Sequence, residues 1–238
     1  MKIGILQVGK SPEELVDEYG SYAEMFMVLL SDKFSTFEFI TYEACDDEFP
    51  SSYDECDGWI ITGSKHGVYE THSWISSLSH LINEIYNNKL PLVGICFGHQ
   101  IIAHALGGVV EKSTKGWGIG LDTYQLTNKA NWMNNLGGDI TLNIIHQDQV
   151  VEPPKDAIIY ASSDFCENAG FYINSHVLTI QGHPEFLVEF TAKILALRSA
   201  LTIPKEVVDP ALIQLDKYGQ TTGSQDFGSM IGQFFKSN

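Results

Sequence analysis

Apolar and polar positions along the chain follow two periods, one near 2 and one near 3.6. Residues 2–8 run apolar until Gln7, the pattern of a strand in the middle of a sheet. Ser11-Pro12-Glu13-Glu14 reads as a helix start, with Ser as N-cap, Pro at the first helical position and acids in the first turn. Leu15, Tyr19, Tyr22, Ala23, Phe26 and Leu30 then recur at three- and four-residue spacing, which predicts one amphipathic helix. Residues 37–42 are the next strand, and 59–61 a short one that stops at Thr62-Gly63-Ser64. Residues 73–88 are helical by period, with Trp74, Leu78, Leu81, Ile82 and Ile85 on one face. Leu92, Val93 and Ile95 form a brief apolar run, followed by a helix-like stretch from Gln100 to Leu106. Strands alternating with helices imply a parallel sheet, with ligands at the strands' carboxyl ends, where Gly63 and Cys96 both fall.

The second half is richer in strand patterns, at 121–126, 140–145, 157–161, 170–173 and 176–180. Residues 131–138 read as a loop insertion with no pattern of their own. Residues 184–201 return to helix, with Phe186, Phe190, Ile194 and Leu197 on one face. Two weaker helical patterns follow, at 207–218 and 227–235, and the apolar set Met230, Ile231, Phe234 and Phe235 is expected to bury against the main body. The expected architecture is a three-layer α/β sandwich with a mostly parallel central sheet, one domain over 1–203 and a helical extension over 204–238 packed on it.

Charge narrows the function. Thirty acidic residues against 14 basic ones give a net charge of −16, which argues against nucleic acid and anionic membrane surfaces as partners. Cys45, Cys56, Cys96 and Cys166 are scattered, with no zinc-type spacing. No apolar run is long enough to span a membrane, and the first residues begin a strand rather than a signal peptide. A soluble protein in the reducing cytoplasm, with free thiols, is expected.

Candidate chemistry starts at Gly94-Ile95-Cys96-Phe97-Gly98. A Gly-x-Cys-x-Gly turn between strand and helix is the pattern of a nucleophile elbow, with a thiol in place of the more familiar hydroxyl. Glycines on either side relieve the crowding of a sharp turn, and the following helix N-terminus favours thiolate. The plain alternative is a buried Cys in an ordinary connection. A base must come from elsewhere. His99 and His104 lie on the elbow's own helix, which the thiol faces away from. His66, His72 and His80 sit in or beside a loop–helix segment with no acid at a telling spacing. His146-Gln147-Asp148-Gln149 and Gln181-Gly182-His183-Pro184-Glu185 each follow a strand. Pro184 keeps His183 out of helical backbone, so His183 and Glu185 could face one side as imidazole and orienting carboxylate. His-Pro-Glu is equally the start of a helix.

Ile-Thr-Gly-Ser, Gly-Ile-Cys-Phe-Gly-His-Gln and Gln-Gly-His-Pro-Glu-Phe, in this order, together resemble the class I glutamine amidotransferases over about residues 1–200. The subgroup most similar includes the amidotransferase domain of guanosine monophosphate synthetase, its stand-alone members and the γ-glutamyl peptidases. The resemblance implies a flavodoxin-like fold and hydrolysis of a γ-glutamyl amide through a γ-glutamyl thioester, without metal or cofactor. It implies Cys96 as nucleophile, His183 as base and Glu185 as its orienter, with the Gly63 and Phe97 amides forming the oxyanion hole. Gln100 and the segment His146, Gln147 and Asp148 match positions near the bound glutamyl group. Two departures stand out: the family's Gly-Gly-Pro oxyanion loop reads Thr62-Gly63-Ser64, and no synthetase domain follows to use ammonia. The expected substrate is therefore glutamine or a γ-glutamyl peptide or conjugate, with a separate synthetase subunit as a possible partner. Rival readings are a Cys-containing α/β-hydrolase, in which Asp148 or Asp164 serves His183, a non-catalytic binding protein of the same fold, and a metal hydrolase built on His146, Asp148 and His183.

Overall fold

A computed structural model describes residues 1–31, 33–134, 136–218 and 223–238. The two periods of the sequence become two kinds of layer. A nine-stranded sheet has the order β2-β1-β3-β4-β11-β10-β9-β6-β7. Its first half, β2 (Glu38–Tyr42), β1 (Lys2–Leu6), β3 (Gly58–Ile61), β4 (Leu92–Ile95) and β11 (Val177–Ile180), is parallel throughout. The second half, β10 (Gly170–Ile173), β9 (Ile158–Ser162), β6 (Gly118–Leu126) and β7 (Asp139–His146), is antiparallel. A separate ribbon pairs β5 (Val109–Lys112) with β8 (Asp148–Glu152). The mixed sheet reflects its connections: the parallel strands need helical crossovers, whereas 118–180 returns by short turns.

Alternation along the parallel strands divides two cores. Ile3, Ile5, Ile60, Val93, Ile95, Leu178 and Ile180 pack on one face against α2 (Tyr22–Ser31) and α7 (Ser224–Lys236). Trp59, Ile61, Leu92 and Val177 pack on the other against α3 (Ser73–Asn87) and α4 (Phe97–Ala105). A third cluster joins α1 (Glu13–Tyr19), α5 (Val188–Arg198) and α6 (Lys205–Tyr218). The three phenylalanines of α7, Phe227, Phe234 and Phe235, lie with Met230 and Ile231 within the first cluster. No helix is long and apolar enough to cross a membrane among the described residues.

The local differences from the sequence reading have physical causes. The single N-terminal helix is two helices, because Gly20 takes φ 80° and Ser21 starts α2 with a reciprocal cap to Glu24. Pro12, not Ser11, caps α1. The patternless 131–138 segment buries Met133 and Leu136 in the core. α5 starts at Val188 rather than at Pro184, since His183 instead pairs with Asn143 beside the sheet.

Candidate active site

Cys96 ends β4 with φ 54° and ψ −103°, left-handed backbone that a side chain adopts only when its surroundings impose it. Its neighbours explain the turn. A Cβ on Gly94 would lie 2.5 Å from the Gly98 carbonyl oxygen, and one on Gly98 would lie 2.3 Å from that of Ile61. The Cys96 N–H donates to the Ile180 carbonyl at 2.9 Å, fixing the turn to β11. The elbow is thus built by the backbone, with the thiol at the start of α4.

β11 brings the second group. The His183 N–H donates to the Asn143 carbonyl at 2.8 Å, which pins His183 to β7, and the Asn143 side-chain amide donates in turn to the Phe186 carbonyl. His183 Nδ1 and Glu185 Oε1 are 2.7 Å apart, and both side chains are almost wholly buried. The His183 ring stacks on Phe186 with centroids 4.0 Å apart. Burial by itself pushes the imidazole toward neutrality, but the Glu185 carboxylate and the Cys96 sulfur, which it reaches by a hydrogen bond, raise it to about 10. Cys96, His183 and Glu185, read separately in the sequence, therefore meet in one constellation.

Gly63 closes the same corner. A Cβ there would lie 2.8 Å from His183 Cε1 and 3.6 Å from the Cys96 Cβ. Neither the Gly63 nor the Phe97 N–H donates to a carbonyl among the described residues. Two free amides beside a thiol are what an oxyanion requires.

A cavity of about 430 Å³ opens on Cys96. Gln100, His146, Gln147 and Asp148 form one wall. Gln100 spends both amide hydrogens on the protein, at 2.8 Å to the Asp148 carbonyl and 3.0 Å to Gln181 Oε1, leaving its own oxygen for a ligand. His146 is buried and its imidazole is pushed down to about 4, first by burial, so it is neutral. Its Nδ1 meets the Asp148 carbonyl at 3.0 Å and Nε2 has no partner among the described residues. Tyr69, on the loop after Gly63, donates to Asp148 Oδ2 at 2.9 Å and ties that loop to the start of β8. His99 is fully buried against Thr179 and Phe171 and does not line the cavity that opens on Cys96.

The same cavity is also lined by groups the sequence reading passed over: Lys65, Arg198 and Thr202. Arg198 is the chain's only arginine. It ends α5, lines the small cavity beside Gly63 and His183 as well, and meets the Tyr22 hydroxyl. It pairs with no carboxylate among the described residues. Its uniqueness, at the end of the helix that follows His-Pro-Glu, was the available signal.

Comparison with known proteins gives this geometry a family. The model of "Glutamine amidotransferase class-I" matches residues 14–197. The chain is 35% identical to gamma-glutamyl peptidase 4 of Arabidopsis thaliana over 71% of this chain and 69% of that protein. It is 29% identical to gamma-glutamyl peptidase 2 of the same plant over 93% and 91%. A crystal structure of a glutamine amidotransferase from Thermotoga maritima superposes with a TM-score of 0.74 at 18% identity, covering 98% of each chain, and so shows the shared fold. The chain belongs to the class I glutamine amidotransferase family and is an enzyme of hydrolase type.

Proposed function

We propose that this enzyme hydrolyses the γ-amide of a γ-glutamyl peptide through a thioester on Cys96. The observation that carries the reading is the strained Cys96 turn facing a buried His183–Glu185 pair 2.7 Å apart. The thiolate attacks the γ-carbonyl carbon, whose π electrons move to oxygen beside the Gly63 and Phe97 amides. Each such donor is worth about 3 kcal/mol to the transition state. The tetrahedral centre collapses, the C–N bond breaks, and His183, holding the proton taken from the thiol, gives it to the leaving amine. Water then attacks the thioester, giving its proton to His183; the C–S bond breaks, glutamate leaves and the thiol is restored. Glu185 keeps the imidazole oriented and stabilises its charge.

The lining residues divide the substrate between them by their chemistry. Gln100, His146, Gln147 and Asp148 suit the glutamyl group. His183 must face the departing nitrogen; Arg198 lines the small cavity with His183, and Arg198 and Lys65 line the larger one that opens on Cys96. They suit a carboxylate on the departing amine, as a peptide has and ammonia lacks. Arabidopsis relatives named gamma-glutamyl peptidases support the same choice. The second reading is a glutaminase subunit that delivers ammonia to a separate synthetase. Residues 1–203 are the enzyme unit on this reading, with 204–238 as its extension; four free cysteines suit a reducing, cytoplasmic setting.

The test compares γ-glutamylglycine, γ-glutamylglycinamide and glutamine, with wild type and Arg198→Ala. The dipeptide should be the best substrate, and the variant should lose about tenfold or more in kcat/KM on it, the worth of one charge-assisted hydrogen bond, but little on glutamine. Glutamine as the best substrate supports the ammonia donor instead. Equal losses on all three place Arg198 on the glutamyl carboxylate.

A further inference from the structure

The sequence finds no acid for His66 and His72, but the fold supplies Glu70. Its Oε2 lies 2.7 Å from His66 Nδ1 and 3.0 Å from His72 Nε2. All three ligand atoms fall within 4.8 Å of one another. Glu70 Oε1 is held separately by the Gly67 N–H at 2.8 Å, so the carboxylate has a fixed orientation with one oxygen turned to the two imidazoles. Buried Trp74 steadies the rings: His72 lies parallel to it within 14°, and His66 meets it edge-on at 5.9 Å.

We propose that His66, Glu70 and His72 form a binding site for a divalent transition-metal ion of the zinc type. Two imidazole nitrogens and one carboxylate oxygen are a zinc donor set, with water completing the tetrahedron. Bonds of about 2.0–2.2 Å to each donor require donor separations near 3.3 Å, a few tenths of an ångström beyond the present contacts. Partly exposed side chains can open by that amount, and the open face admits the ion without disturbing the core. The ion replaces the protons that now join Glu70 to each ring.

The position gives the site its consequence. His66 follows Gly63 by three residues, and His66 and Glu70 line the cavity that holds Cys96. His72 is the residue at the N-terminal end of α3. A bound ion therefore clamps the loop after the oxyanion-hole glycine to the start of α3. It is a rim site, separate from the thiol chemistry, and does not depend on the proposed reaction.

The test uses the full chain carrying Cys96→Ser, stripped with a chelator and titrated with zinc chloride by calorimetry. Removing the reactive thiol keeps it from acting as the ligand, and binding is read whether or not the enzyme is a peptidase. One ion should bind per chain with micromolar affinity and raise Tm by several degrees. Added His72→Ala or Glu70→Gln should each weaken binding at least tenfold while thermal melts show both variants folded. His80→Ala, on an exposed pair with Glu84, should change nothing. Unchanged affinity in both variants, or no saturable binding, overturns the site. So does binding that persists in them and is lost with Cys45→Ser, which places the ion at Glu43, Cys45 and Asp46 instead.

Discussion

His183 concentrates the electrostatics of the site. Burial disfavours its charge, and Glu185 together with Cys96 reverses that, raising its folded pKa to about 10 from 6.5. A raised pKa means that the charged imidazole stabilises the fold fully below 6.5 and that this contribution is lost as pH rises toward 10. In Glu185→Gln the largest upward influence is gone and burial prevails. The excess stability of wild type over that variant should therefore shrink between pH 6.5 and 10, measured by urea unfolding at both ends. A difference that stays constant or grows contradicts the charged pair. On activity, the same variant should lose about 100-fold or more in kcat, because the carboxylate that orients the imidazole is gone. The α/β-hydrolase rival requires the reverse, with Asp164 essential and Glu185 dispensable.

Much of this was readable at single residues. Gly94, Cys96 and Gly98 declare a crowded turn, and the spacing of His183, Pro184 and Glu185 declares a shared face. Their meeting was implied only by the family resemblance and could not be read from the residues' own spacing. It depends on β4 and β11 being neighbours in the sheet, which joins residues some ninety positions apart through strand order alone. The same limit hid Glu70. A spacing of four and then two residues crosses a turn, where neither helical nor strand period applies. Arg198 was hidden for another reason, since a basic residue in a last helical turn is ordinary dipole compensation until the fold shows what it faces.

At the level of elements, helices were legible wherever an apolar stripe met the core, and boundaries failed where backbone decided. Gly20 breaks the first helix despite a continuous stripe, and Asn143 delays α5 by capturing the His183 amide. β8 escaped notice because it pairs outside the main sheet, and it carries Asp148 to the cavity. The C-terminal α7 belongs to the core. Phe235 meets Phe37 at right angles and sits where a Cβ on Gly58 would be. Phe235→Ala should cost about 3–5 kcal/mol in urea unfolding, while Leu201→Ala, at an exposed turn, should cost less than about 0.5 kcal/mol. Similar costs for both contradict the packing of this helix.

Over the whole molecule, the net charge of −16 contrasts with the cations gathered at one cavity. Lys65, Lys112 and Arg198 face it, beside the neutral His146. Glu70 and Asp148 line it too, so the cavity offers both signs of charge, which on the proposed reading suits a γ-glutamyl peptide with its α-amino group and carboxylates. The parallel half of the sheet presents Gly63, Cys96 and His183 at neighbouring strand ends, the antiparallel half adds His146 at the end of β7, and the β5–β8 ribbon adds Asp148. On the proposed reading, the parallel half supplies the chemistry, and β7 with the ribbon supplies the substrate contacts.

The central claim is that Cys96 carries the glutamyl group. Rapid quenching in acid during turnover of γ-glutamylglycine, followed by mass spectrometry of the digested chain, tests it most directly. A γ-glutamyl adduct should appear on the peptide containing Cys96 and vanish, together with turnover, in Cys96→Ser. Undiminished hydrolysis by Cys96→Ser, or an adduct on another residue, contradicts it.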